Sequence, residues 1–344
     1  MRLAMAAPYA GGFKRTAAQV AEYEYAGLDI VWVAEAYGFD APSFMGYLAA
    51  STDRITIGSA VMPIFTRTPT LLAMTAAGID ALSDGRFILG LGSSGPQVVE
   101  GWHGVRYDAP VARTREVIEI CRAVWRRDGA LEHRGRHYRL PLPPEQGTGL
   151  GKPLKIIGHP NPHIPIYVAA LGEKNVRMTA EAADGWLPVF FVPDKAKDVW
   201  GAALDAGRAA RDATLRPLEV VAGGAVSVTN DPGPVLDLAR PMAALYIGGM
   251  GAKERNFYNQ LVCRYGFETE AKQVQELYLA GNKAAAEAAV PEELLRLANL
   301  VGDEGWIKDR IAAFRDAGVT VLNITPVADK PVELIEKLKD WVDG

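Results

Sequence analysis

The chain has 344 residues, 49% hydrophobic and 23% charged, a composition that suits a globular protein with one large core. Its formal net charge of −4 gives no bulk attraction to nucleic acid or anionic membrane. No apolar run is long enough to span a bilayer. Of the two cysteines, Cys121 sits in an apolar helical stretch, which favours a reduced core thiol over a disulfide and points to a cytoplasmic compartment.

The apolar run in MRLAMAAPYAGGFKR is too short for a signal peptide, and Leu3 to Ala6 reads as a first strand. Helical spacing follows from Thr16 to Ala26 and stops at Gly27. Asp29 to Ala34, DIVWVA, is a second buried strand with Glu35 at its carboxyl end. A helix over Ser43 to Ser51 leads to a third strand, Ile55 to Met62, stopped by Pro63. Thr70 to Leu82 is a helix between Pro69 and Asp84-Gly85. The fourth strand opens the stretch FILGLGSSGPQVVEGWHG, residues 87 to 104, and breaks at Gly92-Ser93-Ser94-Gly95-Pro96. A polar, glycine-rich exit from a buried strand suits a binding site, and equally an ordinary strand-to-helix turn. It matches neither the dinucleotide fingerprint nor the phosphate loop.

An amphipathic helix spans 111 to 127. Gly129 to His163 is rich in Gly, Pro and His and reads as an insertion holding a small hairpin at HRGRHYRL. The rhythm resumes with a fifth strand (Ile166 to Ala170), a helix (Lys174 to Ala183), a sixth strand (Trp186 to Phe191) and a helix (Ala196 to Ala213). Leu218 to Val228 is expected as one seventh strand with Gly223-Gly224 inside it. Residues 235 to 300 are mostly helical with no clear strand. Asp303 to Ala317 is a helix, Val319 to Ile324 the eighth strand, and Val332 to Val342 the closing helix. Short, wholly apolar strands alternating with helices indicate a parallel sheet covered on both faces. Eight of them fit a (β/α)8 barrel, residues 1–344 as one domain, with insertions at about 129–163 and 235–300.

In such a barrel the site lies at the carboxyl ends of the strands. Those ends are Tyr9 to Gly12, Glu35 to Asp40, Ala60 to Arg67, Ser93 to His103, Ala169 to Glu173, Val189 to Phe191, Ser227 to Asn230 and Asn323 to Pro326. They hold no metal-ligand spacing and no nucleophile elbow. Small residues, apolar surface and a few hydroxyls suit a slot for a flat aromatic cofactor.

The segments WVAEAYGFDA (32–41), IGSAVMPIFTRTP (57–69), AMTAAGIDALSDGRFILGLGSSGPQVVEGWHG (73–104) and PIYVAALGEKNVRMTAEAADGW (165–186) together resemble the bacterial-luciferase-like superfamily, in its coenzyme F420-dependent branch. The resemblance covers essentially the whole chain. It implies a non-proline cis peptide in a bulge after the third strand, at Ala60 and Val61, supporting the deazaflavin ring. It implies cofactor contacts from the strand-four loop, Ser93, Ser94, Gly95, Gln97 and Val98. It implies others from the strand-five turn, Ala169, Ala170, Leu171, Gly172 and Glu173, whose helix start suits the phosphodiester of the tail.

The pattern departs at two places. Family members carry Asp-His at the end of strand two, where Glu35-Ala36 stands. Some carry a Glu in the strand-four loop, where Gly95 and Pro96 stand, so the sugar-phosphate substrate of those relatives does not transfer. Glu35 and His103 are the acid–base candidates, each balanced by a structural alternative: a carboxylate bonded at the barrel mouth, and a loop histidine capped by Glu100. Tyr37 and Trp102 could form an aromatic wall or belong to the core. Arg67 could reach the cofactor tail, although a rim salt bridge is the commoner arrangement.

The expected activity is hydride exchange between deazaflavin C5 and a small organic substrate. An FMN-dependent monooxygenase and a non-catalytic flavin-binding protein are the alternatives. The resemblance further implies a homodimer.

Overall fold

The computed structural model describes residues 1–8, 10–251 and 256–344. Tyr9, one of the residues expected at the barrel mouth, lies outside the described residues. The chain alternates β1 (Arg2–Ala6), α1 (Phe13–Tyr25), β2 (Ile30–Val33), α2 (Ala41–Ser51), β3 (Thr56–Ser59), α3 (Pro69–Leu82) and β4 (Phe87–Gly92). It continues with α4 (Pro110–Arg126), β5 (Ile166–Ala169), α5 (Glu173–Ala182), β6 (Gly185–Leu187), α6 (Pro193–Ala209) and β7 (Glu219–Ala222). It ends with α7 (Glu304–Asp316), β8 (Val321–Pro326) and α8 (Pro331–Asp343). Each barrel strand pairs in parallel with the next, and β8 returns to β1 through Arg2↔Val321 to Met5↔Ile324. The sheet is a closed eight-stranded (β/α)8 barrel.

Local chemistry sets the boundaries. Asp40 caps α2 by accepting from the Ser43 amide at 3.1 Å, and Thr68 caps α3 through the Leu71 amide at 3.2 Å. Proline in the first turn of both helices needs no amide partner. Below the barrel, the buried Glu24 carboxylate accepts from the Asp53, Arg54 and Ile55 amides and anchors α1 to the start of β3.

Apolar side chains fill two layers. One lies between the strands and the helices, and the other is the barrel interior. Cys121 belongs to the outer layer, where burial pushes its thiol up to about 12 and leaves it protonated and inert. Neither cysteine is in a disulfide.

Three strands are shorter or more broken than the sequence pattern suggests. The third stops at Ser59 and resumes only as Met62–Pro63, across a bulge. The sixth ends at Leu187, and Phe190 sits at φ 53, outside strand geometry. The seventh is two strands. Gly223 takes φ 153, and a Cβ there would lie 2.2 Å from the Asn323 carbonyl. The chain therefore turns, and Ala225–Val228 pairs with Leu300–Gly302 while touching β8 only at Ala225↔Thr325 and Val226↔Pro326. Periodicity is blind to this break, because apolar residues continue on both sides of the glycines.

Residues His133–Arg134 and Arg139–Leu140 form the expected hairpin. It is pinned by Glu116, which accepts from the Arg136, His137 and Tyr138 amides. Between 235 and 299 the described residues are mostly helical and include one π-turn at Leu245–Gly249. Among the described residues, no helix is long and apolar enough to cross a membrane.

Gly90 on β4 is the tightest contact in the barrel wall, because a Cβ there would sit 1.7 Å from the Ser59 carbonyl oxygen. Backbone cannot yield as a flexible side chain does. Gly90→Ala is expected to cost about 3 kcal/mol or more by overpacking, measured by urea titration. A loss below 1 kcal/mol would contradict this packing.

Candidate active site

Successive residues of a strand face opposite ways. The inner core, Ala4, Ile30, Trp32, Ile88, Tyr167, Leu187, Val221 and Val321, therefore marks which positions point into the barrel. Trp32 and Tyr167 form a floor, with ring centroids 5.9 Å apart. Beneath it the Tyr167 hydroxyl donates to Glu219, which also pairs with Arg2. Continuing the alternation upward, the inward positions at the carboxyl ends are Ala6, Ala34, Ala60, Gly92, Ala169 and Thr325. Nearly all are small. Ala6 and Thr325 are exposed, and Ala34, Ala60 and Ala169 are partly so. The barrel is packed below and open above, a cup walled by backbone and methyl groups.

Between β3 and Met62, the Ala60–Val61 bond is cis, as the resemblance implies. Ser59 fixes the approach to this bulge. Its buried hydroxyl donates to the Gly90 carbonyl and accepts from the Gly90 amide, both at 2.8 Å. A Cβ at Gly92 would lie 2.5 Å from Val61 Cγ2, so glycine lets the bulge lean against β4. Ala60 and Val61 both pack on the inner core at the cup wall.

Beyond β4, Ser94 takes φ 56 and Gly95 precedes a short helix, Pro96–Val99. The Tyr107 hydroxyl bonds the Ser93 hydroxyl at 3.2 Å and the Ser94 carbonyl at 3.3 Å, and so braces the loop. Gln97 is exposed and Val98 partly exposed. At the β5 turn, two buried indoles hold the backbone: Trp186 donates to the Ala170 carbonyl at 2.8 Å, and Trp200 to Leu171 at 3.0 Å. Gly172 then begins α5 with no side-chain cap, which leaves the Glu173 and Lys174 amides available to an anion, while the Asn175 amide bonds the Gly172 carbonyl. Glu173 points elsewhere, to Arg264 at 3.5 Å. Pairing of β4 with β5, Leu91↔Val168, brings the two sets of expected cofactor residues side by side.

Two polar atoms of inward-facing strand residues are buried without a hydrogen-bond partner: Trp32 Nε1 and Asn323 Oδ1. Both side chains belong to inward positions. An orphaned donor and an orphaned acceptor under an open cup fit a bound ring with polar edges. A flavin-like tricycle has such edges, so the residues present suit the expected cofactor. Sequence reasoning had placed Trp32 in a buried strand and Asn323 at a strand end without giving either a role. The available signal was a polar Asn323 at an inward step of an apolar strand.

The acid–base candidates are placed differently from each other. Glu35 is nearly buried and meets the Arg67 guanidinium with both carboxylate oxygens, one at 2.8 Å, while accepting from the Ala41 amide at 2.8 Å. This is the rim salt bridge, and it ties the loop after β2 to the loop after β3. His103 is exposed, and its amide bonds the Val98 carbonyl. Glu100 caps the Tyr107 amide at 3.1 Å rather than the histidine. Tyr37 and Trp102 are 66% and 69% exposed with centroids 6.4 Å apart, so they stand outside the core. Among the described residues no cluster of His, Cys, Asp or Glu could hold a metal ion.

The chain is 44% identical over 309 residues to a Mycobacterium tuberculosis protein named putative coenzyme F420-dependent oxidoreductase, with 89% of each chain covered. It is 26% identical to a 5,10-methylenetetrahydromethanopterin reductase of Archaeoglobus fulgidus, over 91% of both. In fold it resembles the coenzyme F420-dependent tetrahydromethanopterin reductase of Methanopyrus kandleri, with TM-score 0.78, 22% identity and 99% and 98% of the two chains covered. An F420-dependent secondary alcohol dehydrogenase superposes with TM-score 0.74 at 16% identity, over 99% of both chains. Residues 1–321 match the family model described as luciferase-like monooxygenase. With the closed barrel and its open, small-walled mouth, these likenesses make the chain a member of the luciferase-like monooxygenase family, among its F420-dependent oxidoreductases.

Proposed function

We propose that the chain binds coenzyme F420 in the cup and exchanges a hydride between it and a small organic substrate. The observation that carries this reading is the open mouth over the Trp32–Tyr167 floor, with its two orphaned polar atoms. The 44% identity to an F420-named relative supports the choice of cofactor. When bound, the coenzyme would supply two-electron hydride chemistry at its ring. The chain's own residues would position and shield. Ala60 and Val61 would back the ring, Ser93 to Val98 would border it, and the α5 amides after Gly172 would take the phosphodiester. Glu35, held by Arg67, would fix two rim loops. His103, with its ring at the surface of the strand-four loop, is then the group free to hold or deliver a proton.

The family's monooxygenase members favour one second reading, use of reduced FMN in the same cup. Fluorescence titration with both cofactors decides: tighter binding of F420 supports the proposal, and tighter binding of FMN reverses it. We further propose a homodimer through the outer faces of α2 and α3, where Tyr47, Leu71 and Met74 are exposed. Sedimentation of a monomer at micromolar concentration would refute that pairing.

Two substitutions probe the site. Gly172 has φ −70, and a Cβ there would make ordinary contact with Phe257 at 3.5 Å, so Gly172→Glu should fold normally. Its carboxylate would meet the phosphodiester and weaken F420 binding by at least about tenfold. Unchanged affinity would remove the tail from this turn. Arg67→Met should lose about 3 kcal/mol in urea titration, because it strands a nearly buried carboxylate. Glu35→Gln combined with Arg67→Met should lose less, and an equal loss would show that the two do not act as a pair.

A further inference from the structure

The insertion between α4 and β5 carries its apolar side chains outward. Leu150, Leu154 and Ile157 are 84%, 68% and 96% exposed, and Leu142 is 51% exposed. Single exposed leucines are ordinary on a protein surface, but four on one short segment form a patch that marks a docking face. The two limbs of the segment lie side by side: a Cβ added at Gly151 would meet Pro141 at 3.6 Å and the Leu142 carbonyl at 3.7 Å. Backbone contacts hold the arm in place. The Leu131 amide donates to the Leu154 carbonyl at 2.8 Å, and Arg127 Nε to the Ile156 carbonyl at 3.1 Å. Leu154 therefore faces solvent although its own backbone is anchored.

The arm is basic as well as apolar. Residues 127–163 hold six Lys or Arg against three Asp or Glu, a net +3 in a chain whose total is −4. Two of those acids sit beside arginines, Asp128 at 3.2 Å from Arg126 and Glu132 at 3.6 Å from Arg134. Arg136, Arg139, Lys152 and Lys155 are exposed and, among the described residues, make no ion pair. Lys152 stands in sequence between Leu150 and Leu154, and Lys155 between Leu154 and Ile157. Charges act over a screening length of about 8 Å, so this local excess outweighs the negative total carried elsewhere. A partner that suits cations interleaved with aliphatic side chains must offer anions and hydrocarbon together. An anionic bilayer does so within one headgroup layer.

We infer that this arm docks on an anionic lipid surface, with Leu150, Leu154 and Ile157 entering the headgroup layer and Lys152 and Lys155 meeting lipid phosphates. Docking involves neither the cofactor nor the reaction, so it can fail while the proposed function stands. The test is co-sedimentation with vesicles of phosphatidylcholine, alone or mixed with phosphatidylglycerol. The wild-type protein should bind the mixed vesicles at least about tenfold more tightly, and high salt should weaken that binding. Leu150→Ser with Leu154→Ser and Ile157→Ser should lose about tenfold or more, and so should Lys152→Gln with Lys155→Gln. All five side chains are exposed, so the fold should survive, and an unchanged thermal midpoint checks this. Equal binding to both kinds of vesicle, or to neither, would overturn the inference. So would full binding by either variant, which would leave charge alone or apolar contact alone as the cause. Sedimentation velocity without lipid covers the remaining case. If the triple-serine variant loses an association that the wild type shows, a second copy of the chain covers the arm and the inference falls.

Discussion

The contact between Ser59 and Gly90 governs the shape of the mouth. One hydroxyl satisfies both the amide and the carbonyl of a residue on the next strand, at 2.8 Å each. That exchange is possible only because Gly90 has no side chain, since a Cβ would overlap the Ser59 backbone. With β3 and β4 locked at this point, the chain has to bulge immediately afterwards, and Ala60 and Val61 are pushed to the cup wall. Gly92 then accepts the lean of Val61, so three positions on two strands define one face of the opening.

The rest of the cup follows from how large and small side chains are distributed. Two aromatic rings fill the lower barrel, and methyl groups or hydrogens occupy most inward steps above them. Packing below gives rigidity, and its absence above gives access. The rim has a complementary electrostatic division. Its nearly buried charge pair, Glu35 with Arg67, is internally neutralised and acts as a clasp between loops. Lys174 and Arg177, on the outer side of α5, are instead exposed to solvent.

Much of this was readable from the residues. Wholly apolar strands such as DIVWVA and FILGLG gave a parallel sheet, and helix ends fell within a few residues of Pro, Gly or Asp signals. The cis bond at Ala60–Val61 was legible only through resemblance, because nothing in the local spelling SAVMP distinguishes it from an extended strand. The seventh strand misled for a related reason. An apolar pattern reports burial, and Val226 and Ser227 remain buried after the chain leaves the barrel to join 300–302. Glu35 showed the limit of reading one position at a time: its partner is thirty-two residues away, and only the fold brings them together. The orphaned atoms of Trp32 and Asn323 were invisible for the same reason, since an unmet hydrogen bond is a property of surroundings.

The departure of the chain at Gly223 has a bearing on how this barrel can change. Residues 225–228 and 300–302 are stitched together in parallel, so everything between them leaves and returns through a closed neck. A loop whose two ends are already held lengthens at little entropic penalty. The excursion still touches the rim, through contacts such as the Tyr265 hydroxyl on the Phe190 carbonyl and Arg264 beside Glu173. Its helices can be enlarged, trimmed or exchanged to reshape one side of the mouth, while the strands that form the cup keep their registration.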